Sequence, residues 1–143
     1  MFKISSRKNK KNKGRLFVLF FFILLLLLSY KVLSNRNKIF NFEKKNVSYI
    51  ELIQYNVDTM TNINNPAEVK EILLILNSLK GERVEVDNSE IQALNFINVY
   101  DKSSNNIGIA KSDKFIRIKN NWYKLDSSSS KKFDSIFEKY DKK

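Results

Sequence analysis

Glu82, Glu85, Asp87 and Glu90 place four carboxylates within nine residues. Two carboxyl groups divide acid and base roles when their surroundings drive their pKa values apart. Nothing beside these four promises burial, and a solvated acidic loop accounts for the run without chemistry. Asp101-x-Ser103-x-Asn105 has the spacing of the first three oxygen ligands of a calcium loop. Its sixth position is Asn106 rather than glycine and its twelfth is Ser112 rather than glutamate, so a hairpin turn explains the same residues. Ser128-x-x-Lys131 sets a hydroxyl and an amine on one helical face, as a serine nucleophile with a lysine base requires. The Ser-Asp-Asn and Lys-Thr-Gly partners of that pattern are absent, and serines ahead of an amphipathic stretch are helix caps first. No catalytic residue is assigned, and the chain is expected not to be an enzyme.

Arg117, Lys119, Trp122 and Lys124 alternate cations with an aromatic ring across a short hairpin. Sharing an outward face, they would form a small binding patch with the indole as anchor. Alternatively, Trp122 belongs to the core and the cations solvate the outer surface. The chain has neither histidine nor cysteine, which removes zinc sites, histidine-dependent triads and thiol nucleophiles. Three glycines make no phosphate-cradling loop. No metal or other cofactor is expected.

The formal charge of +11 is unevenly placed. Residues 1–15 carry seven Lys or Arg and no acid, and residues 16–45 add a net +4. Residues 46–143 hold fourteen cations and fourteen anions. The basicity therefore flanks the apolar run Leu16–Leu28, and no nucleic-acid partner is expected of the neutral remainder. A basic head before an apolar segment keeps the N-terminus in the cytoplasm. Extended through Leu33, the segment has about 27 Å of helix, close to a bilayer core. The reading is a basic cytoplasmic head (1–15), a transmembrane signal-anchor (16–33), a polar stalk (34–46) and an extracytoplasmic domain (47–143). The alternative is a signal peptide cleaved after Ser34.

Within the domain, Val47 to Val57 alternates with period two, and Met60–Ile63 offers a short return strand. Asn65, Pro66 and Glu68 mark a helix start, and Val69, Ile72, Leu73, Leu76 and Leu79 keep helical spacing up to a left-handed Gly81, giving a helix over 66–80. Residues 82–92 read as a loop. Strands are expected at 93–100, 107–111, 115–119 and 122–125, with Asn120-Asn121 turning the last hairpin through positive backbone angles. Phe133, Ile136, Phe137 and Tyr140 form the apolar stripe of a final helix. The fold class is α+β: a small antiparallel sheet with two helices packed on one face.

Tyr49-Ile-Glu-Leu-Ile, Asn65-Pro-Ala-Glu-Val-Lys-Glu-Ile-Leu, Ile97-Asn-Val-Tyr-Asp-Lys and Phe115-Ile-Arg-Ile-Lys-Asn-Asn-Trp-Tyr-Lys-Leu follow the basic head and span. This layout over residues 47–140 resembles small membrane- or lipid-anchored domains of unknown function in low-GC Gram-positive bacteria. The chain lacks the lipobox cysteine that many of them carry. The resemblance implies a non-enzymatic domain facing the cell envelope. The expected role is to present a binding domain to a protein, peptide or cell-wall partner. The alternative is an inhibitor or immunity-like protein acting on a specific enzyme or toxin.

Overall fold

The computed structural model describes residues 9–86 and 91–140. The chain divides into two compact units, Met1–Arg36 and Asn37–Lys143. The first is built on helix α1 (Asn9–Asn35), which begins inside the basic head. Its segment Gly14–Leu33 contains an 18-residue window with a mean hydropathy of 2.7 and has 20 residues. That is about 30 Å of helix, long and apolar enough to cross a membrane. Its apolar side chains from Leu16 to Leu33 are all exposed, so no protein core accounts for their composition.

The second unit is a seven-stranded, wholly antiparallel sheet with two helices. Its elements are β1 (Val47–Gln54), β2 (Thr59–Ile63), α2 (Pro66–Ser78), β3 (Gly81–Val84), β4 (Asn95–Asp101), β5 (Asn106–Ser112), β6 (Phe115–Ile118), β7 (Asn121–Leu125) and α3 (Ser127–Tyr140). The strand order β2-β1-β4-β5-β6-β7-β3 puts β2 and β3 at opposite edges. Helix α2 therefore carries the chain from one edge of the sheet to the other. Asn65 caps it by accepting a hydrogen bond from the Ala67 amide at 2.9 Å, with Pro66 in the first turn. Asp126 caps α3, accepting from the Ser129 amide at 2.7 Å.

Both apolar stripes read from sequence lie on one face of the sheet. Ile72 and Leu76 of α2 and Phe133 and Ile136 of α3 are fully buried with Ile50, Ile97, Ile109 and Ile116 of the strands. The helices are also joined at their rim. Lys139 and Tyr140 of α3 both donate to the Glu71 carboxylate of α2, the tyrosine hydroxyl at 2.6 Å.

Three local expectations change. Residues 82–92 do not begin as a loop, because Gly81–Val84 pairs with β7 as an edge strand. Gly81 does not supply a left-handed helix end: α2 stops at Ser78, and Leu79 is extended with φ −68° and ψ 138°. Gly81 is needed instead for close approach, since a Cβ there would lie 2.8 Å from the Lys124 carbonyl oxygen and 2.9 Å from Ile39 Cδ1. The last hairpin turns at Lys119-Asn120, and Lys119 rather than an asparagine holds the positive φ, 55°.

The expected stalk also departs from its reading. From Asn37 onward it is docked on the domain. The Ile39 amide donates to Leu79, the Gly81 amide donates to Asn37, and Lys38 bridges to Lys80. The Asn77 side chain binds both the N–H and the C=O of Phe42, at 2.7 and 2.9 Å. Phe40 is 7% exposed and stacks on Phe42 with ring centres 5.4 Å apart. Burying such a ring contributes about 1.5–3 kcal/mol, which a free stalk would forgo.

The rim contact has a pH signature. The Lys139 hydrogen bond, then that of Tyr140, holds the Glu71 carboxyl below its ordinary value of 4.5. Because the folded value lies below the unfolded one, the contribution is full above about pH 4.5 and is lost as pH falls through the folded value. Replacing Glu71 with Gln should lower the melting temperature at pH 7. The gap to the parent should narrow steadily between about pH 5 and pH 3 in thermal melts; a gap constant across that range would refute the assignment.

Candidate functional site

The face of the sheet opposite the helices is organised by register. Pairings Met60–Ile53, Ile53–Phe96, Phe96–Ala110, Ala110–Arg117, Arg117–Trp122 and Trp122–Val84 run one row of side chains across all seven strands. The neighbouring row, Asn62, Glu51, Asn98 and Gly108, is polar. There the Glu51 carboxylate accepts from Asn98 Nδ2 at 3.2 Å and from the Tyr100 hydroxyl at 2.8 Å. That bond pushes the Tyr100 phenol above its ordinary value. Tyr100 stacks on Tyr49 with ring centres 4.4 Å apart.

The four residues of the expected patch are only partly brought together. Arg117 and Trp122 are direct cross-strand neighbours, with the guanidinium carbon 5.6 Å from the indole centre. Lys124 shares their face, between Phe115 and Glu82 in register. Lys119 sits in the β6–β7 turn, off the row. Trp122 is 5% exposed and lies outside the main core cluster. The indole is therefore packed, with the Arg117 guanidinium lying over it. The exposed elements of the patch are its three cations.

Arg117 and Lys119 border a trough of about 330 Å³ lined with Phe96, Asn106, Ile107, Gly108 and Ala110. Its floor is low because β5 carries glycine and alanine at successive outward positions. That alternation of small residues two apart was the available sequence signal for the trough. A second cleft, about 490 Å³, opens between residues 41–47 and the β4–β5 hairpin, with Val47, Val99 and Ile107 as apolar lining and Lys119 at its rim. Lys119 thus borders both.

Among the other sequence candidates, Asp101 has a structural role. The Asp101 carboxylate accepts from the Ser103 and Asn105 amides at 2.8 and 2.9 Å and from Asn105 Nδ2 at 3.0 Å. Those bonds, the Asn105 side chain first, lower its pKa and close the β4–β5 turn. Ser128 and Lys131 are both exposed near the start of α3, while Ser129 is buried and accepts from the Lys80 amide at 2.9 Å. Glu82 lies on β3 and Glu85 is exposed; Asp87 and Glu90 fall outside the described residues. Among the described residues, no group of three or more Asp, Glu, His or Cys converges as a metal would need.

Lys111 is a charged residue in the core that the strand pattern did not flag. Its side chain is 6% exposed and both Asp134 oxygens receive its ammonium, at 2.9 and 3.1 Å. It also lies 5.8 Å from the Phe133 ring centre. Comparison of the chain with protein-family models, with curated proteins and with solved structures finds no match.

The Lys111–Asp134 pair is asymmetric, since the Asp134 side chain is 42% exposed. Removing the acid strands a buried cation, whereas removing the lysine leaves a carboxylate that water can reach. Asp134→Ala should therefore cost about 3 kcal/mol in urea unfolding, and Lys111→Met should stay within about 1.5 kcal/mol of the parent. Equal losses in the two variants would contradict this account.

Proposed function

We propose that this is a single-pass membrane protein whose N-terminus stays in the cytoplasm and whose C-terminal domain, held outside by α1, binds a partner without catalysis. The cell envelope is the expected setting, through the resemblance to membrane-anchored domains of low-GC Gram-positive bacteria. The observation that carries the reading is the helix-free sheet face. There two exposed cations, Arg117 and Lys119, border an open trough, and neither has an ion pair among the described residues. The chemistry of that face suits recognition: supported cations, amides and rings. The partner is a protein, peptide or cell-wall component. Retention of α1 is favoured by the lack of an Ala-x-Ala cleavage site after its apolar run.

Orientation is checked by a reporter fused after Lys143 that works only outside the cytoplasm. Activity of a cytoplasm-only reporter would reverse the topology. Binding is checked by sedimenting the full chain in mild detergent with purified cell wall. The parent should pellet, and the double change Arg117→Glu with Lys119→Glu should leave it in the supernatant with an unchanged circular dichroism spectrum. Equal pelleting of parent and variant would remove the outer face from the account.

A further inference from the structure

We infer that the trough over β5 takes a segment of a linear, hydroxylated polyanion: a saccharide or polyol chain bearing carboxylate or phosphodiester groups. This rests on the reading of the helix-free face as the binding face.

The shape of the trough favours a chain over a compact ligand. From Asn106 to Ala110 the strand rise gives a length of about 13 Å, and the two strand spacings separating β4 from β6 give a width of about 10 Å. Gly108 and Ala110 form its floor, Phe96 stands on the β4 side, and Arg117 and Lys119 stand on the β6 side.

Its charge favours an anion. The Arg117 guanidinium is held over the Trp122 ring, 5.6 Å from its centre. Pre-organisation of this kind reduces the entropy lost when the fork meets a carboxylate or phosphate. Lys119 adds a point charge at the end of the trough, where the β6–β7 turn begins.

Its polar groups favour hydroxyls. Asn98 gives its Nδ2 to Glu51, while its Oδ1 lies 3.3 Å from the position a Cβ on Gly108 would take. That oxygen lies beside Gly108 of the floor, and Asn106, whose side chain also bonds Tyr100, supplies a second amide in the lining. A peptide fits less well. Ladder hydrogen bonds lie in the plane of a sheet, so a ligand on its face meets side chains, and sheets bind peptide backbones at their edges. β5 is the middle strand of seven.

The test measures binding of the full chain in detergent at about 0.15 M salt to four probes: polygalacturonate, a glycerol-phosphate oligomer, dextran and polyglutamate. At least one of the first two should bind, and which one binds identifies carboxylate or phosphodiester as the charge. Dextran should not bind, and polyglutamate should bind at least tenfold more weakly. Arg117→Gln and Lys119→Gln should each weaken binding about tenfold, the scale of one charge-assisted hydrogen bond. Gly108→Val keeps every charge but fills the floor, and should also weaken binding at least tenfold. Should it lower the melting temperature, Gly108→Ser takes its place.

Binding to neither polyanion, full binding by the filled-trough variant, or equal binding of polyglutamate would each overturn the inference. If neither polyanion binds but cell wall still pellets the parent and not the Arg117/Lys119 double variant, the ligand class is wrong and the binding reading stands. If a polyanion binds with the expected sensitivities and cell wall does not pellet the parent, the wall is the wrong source and the trough assignment stands.

Discussion

The domain buries apolar surface against one face of a single sheet, and the remaining architecture follows from that constraint. A broad sheet has more inward surface than two short helices cover. Helix α2 must run from edge to edge, and the segment from Asn37 to Val47 fills part of what the helices leave open, with Phe40 in the core and Ile39, Phe42 and Val47 packed against it. The middle inward positions of the central strands, Ile50, Leu52, Ile97, Val99, Ile109 and Ile116, are accordingly apolar, whereas the outward positions are free to be Tyr49, Glu51, Asn98, Gly108 and Arg117. Polar and small residues on that side cost the fold little, because the main core lies on the other face.

The buried charge on the inner side is Lys111. A buried cation is expensive unless paired, and Asp134 of α3 provides the pair. The interaction ties the final helix to the middle strand, while Glu71 ties it to α2 through Lys139 and Tyr140. Helix α3 is thus fixed in position by these polar contacts, together with the Lys80–Ser129 hydrogen bond, on top of its apolar stripe. Apolar stripes tolerate sliding, whereas paired charges do not, so these contacts set where along the core α3 rests.

What the sequence disclosed was what short-range physics determines. The Asn65-Pro66 start, the stripes of α2 and α3 and the period-two strands were legible because each depends on neighbours within a few turns or strand steps. The errors fell where a distant segment decides. Residues 37–46 look like a stalk until residues 77–81 offer hydrogen bonds and a slot for Phe40. Gly81 resembles a helix end, but its requirement comes from Lys124 and Ile39. Gly81–Val84 reads as polar loop because an edge strand needs little apolar patterning when β7 supplies its ladder. For the site, Arg117 and Lys119 could be named from sequence. The burial of Trp122 and the low floor at Gly108 and Ala110 depend on which strands lie side by side, information that local pattern does not hold.

The pairing of β1 with β4 also governs when this domain can exist. Ile50 meets Val99 across the sheet, and Phe133, fully enclosed, arrives only with α3. A chain emerging from its N-terminus has a hairpin and a helix to form early, and no partner for the strand that will lie beside β1 until half the domain more has appeared. Such high sequence separation delays folding. Until β4 and α3 are available, the segment from β1 to α2 has no complete sheet to join, so the domain closes late and as a unit.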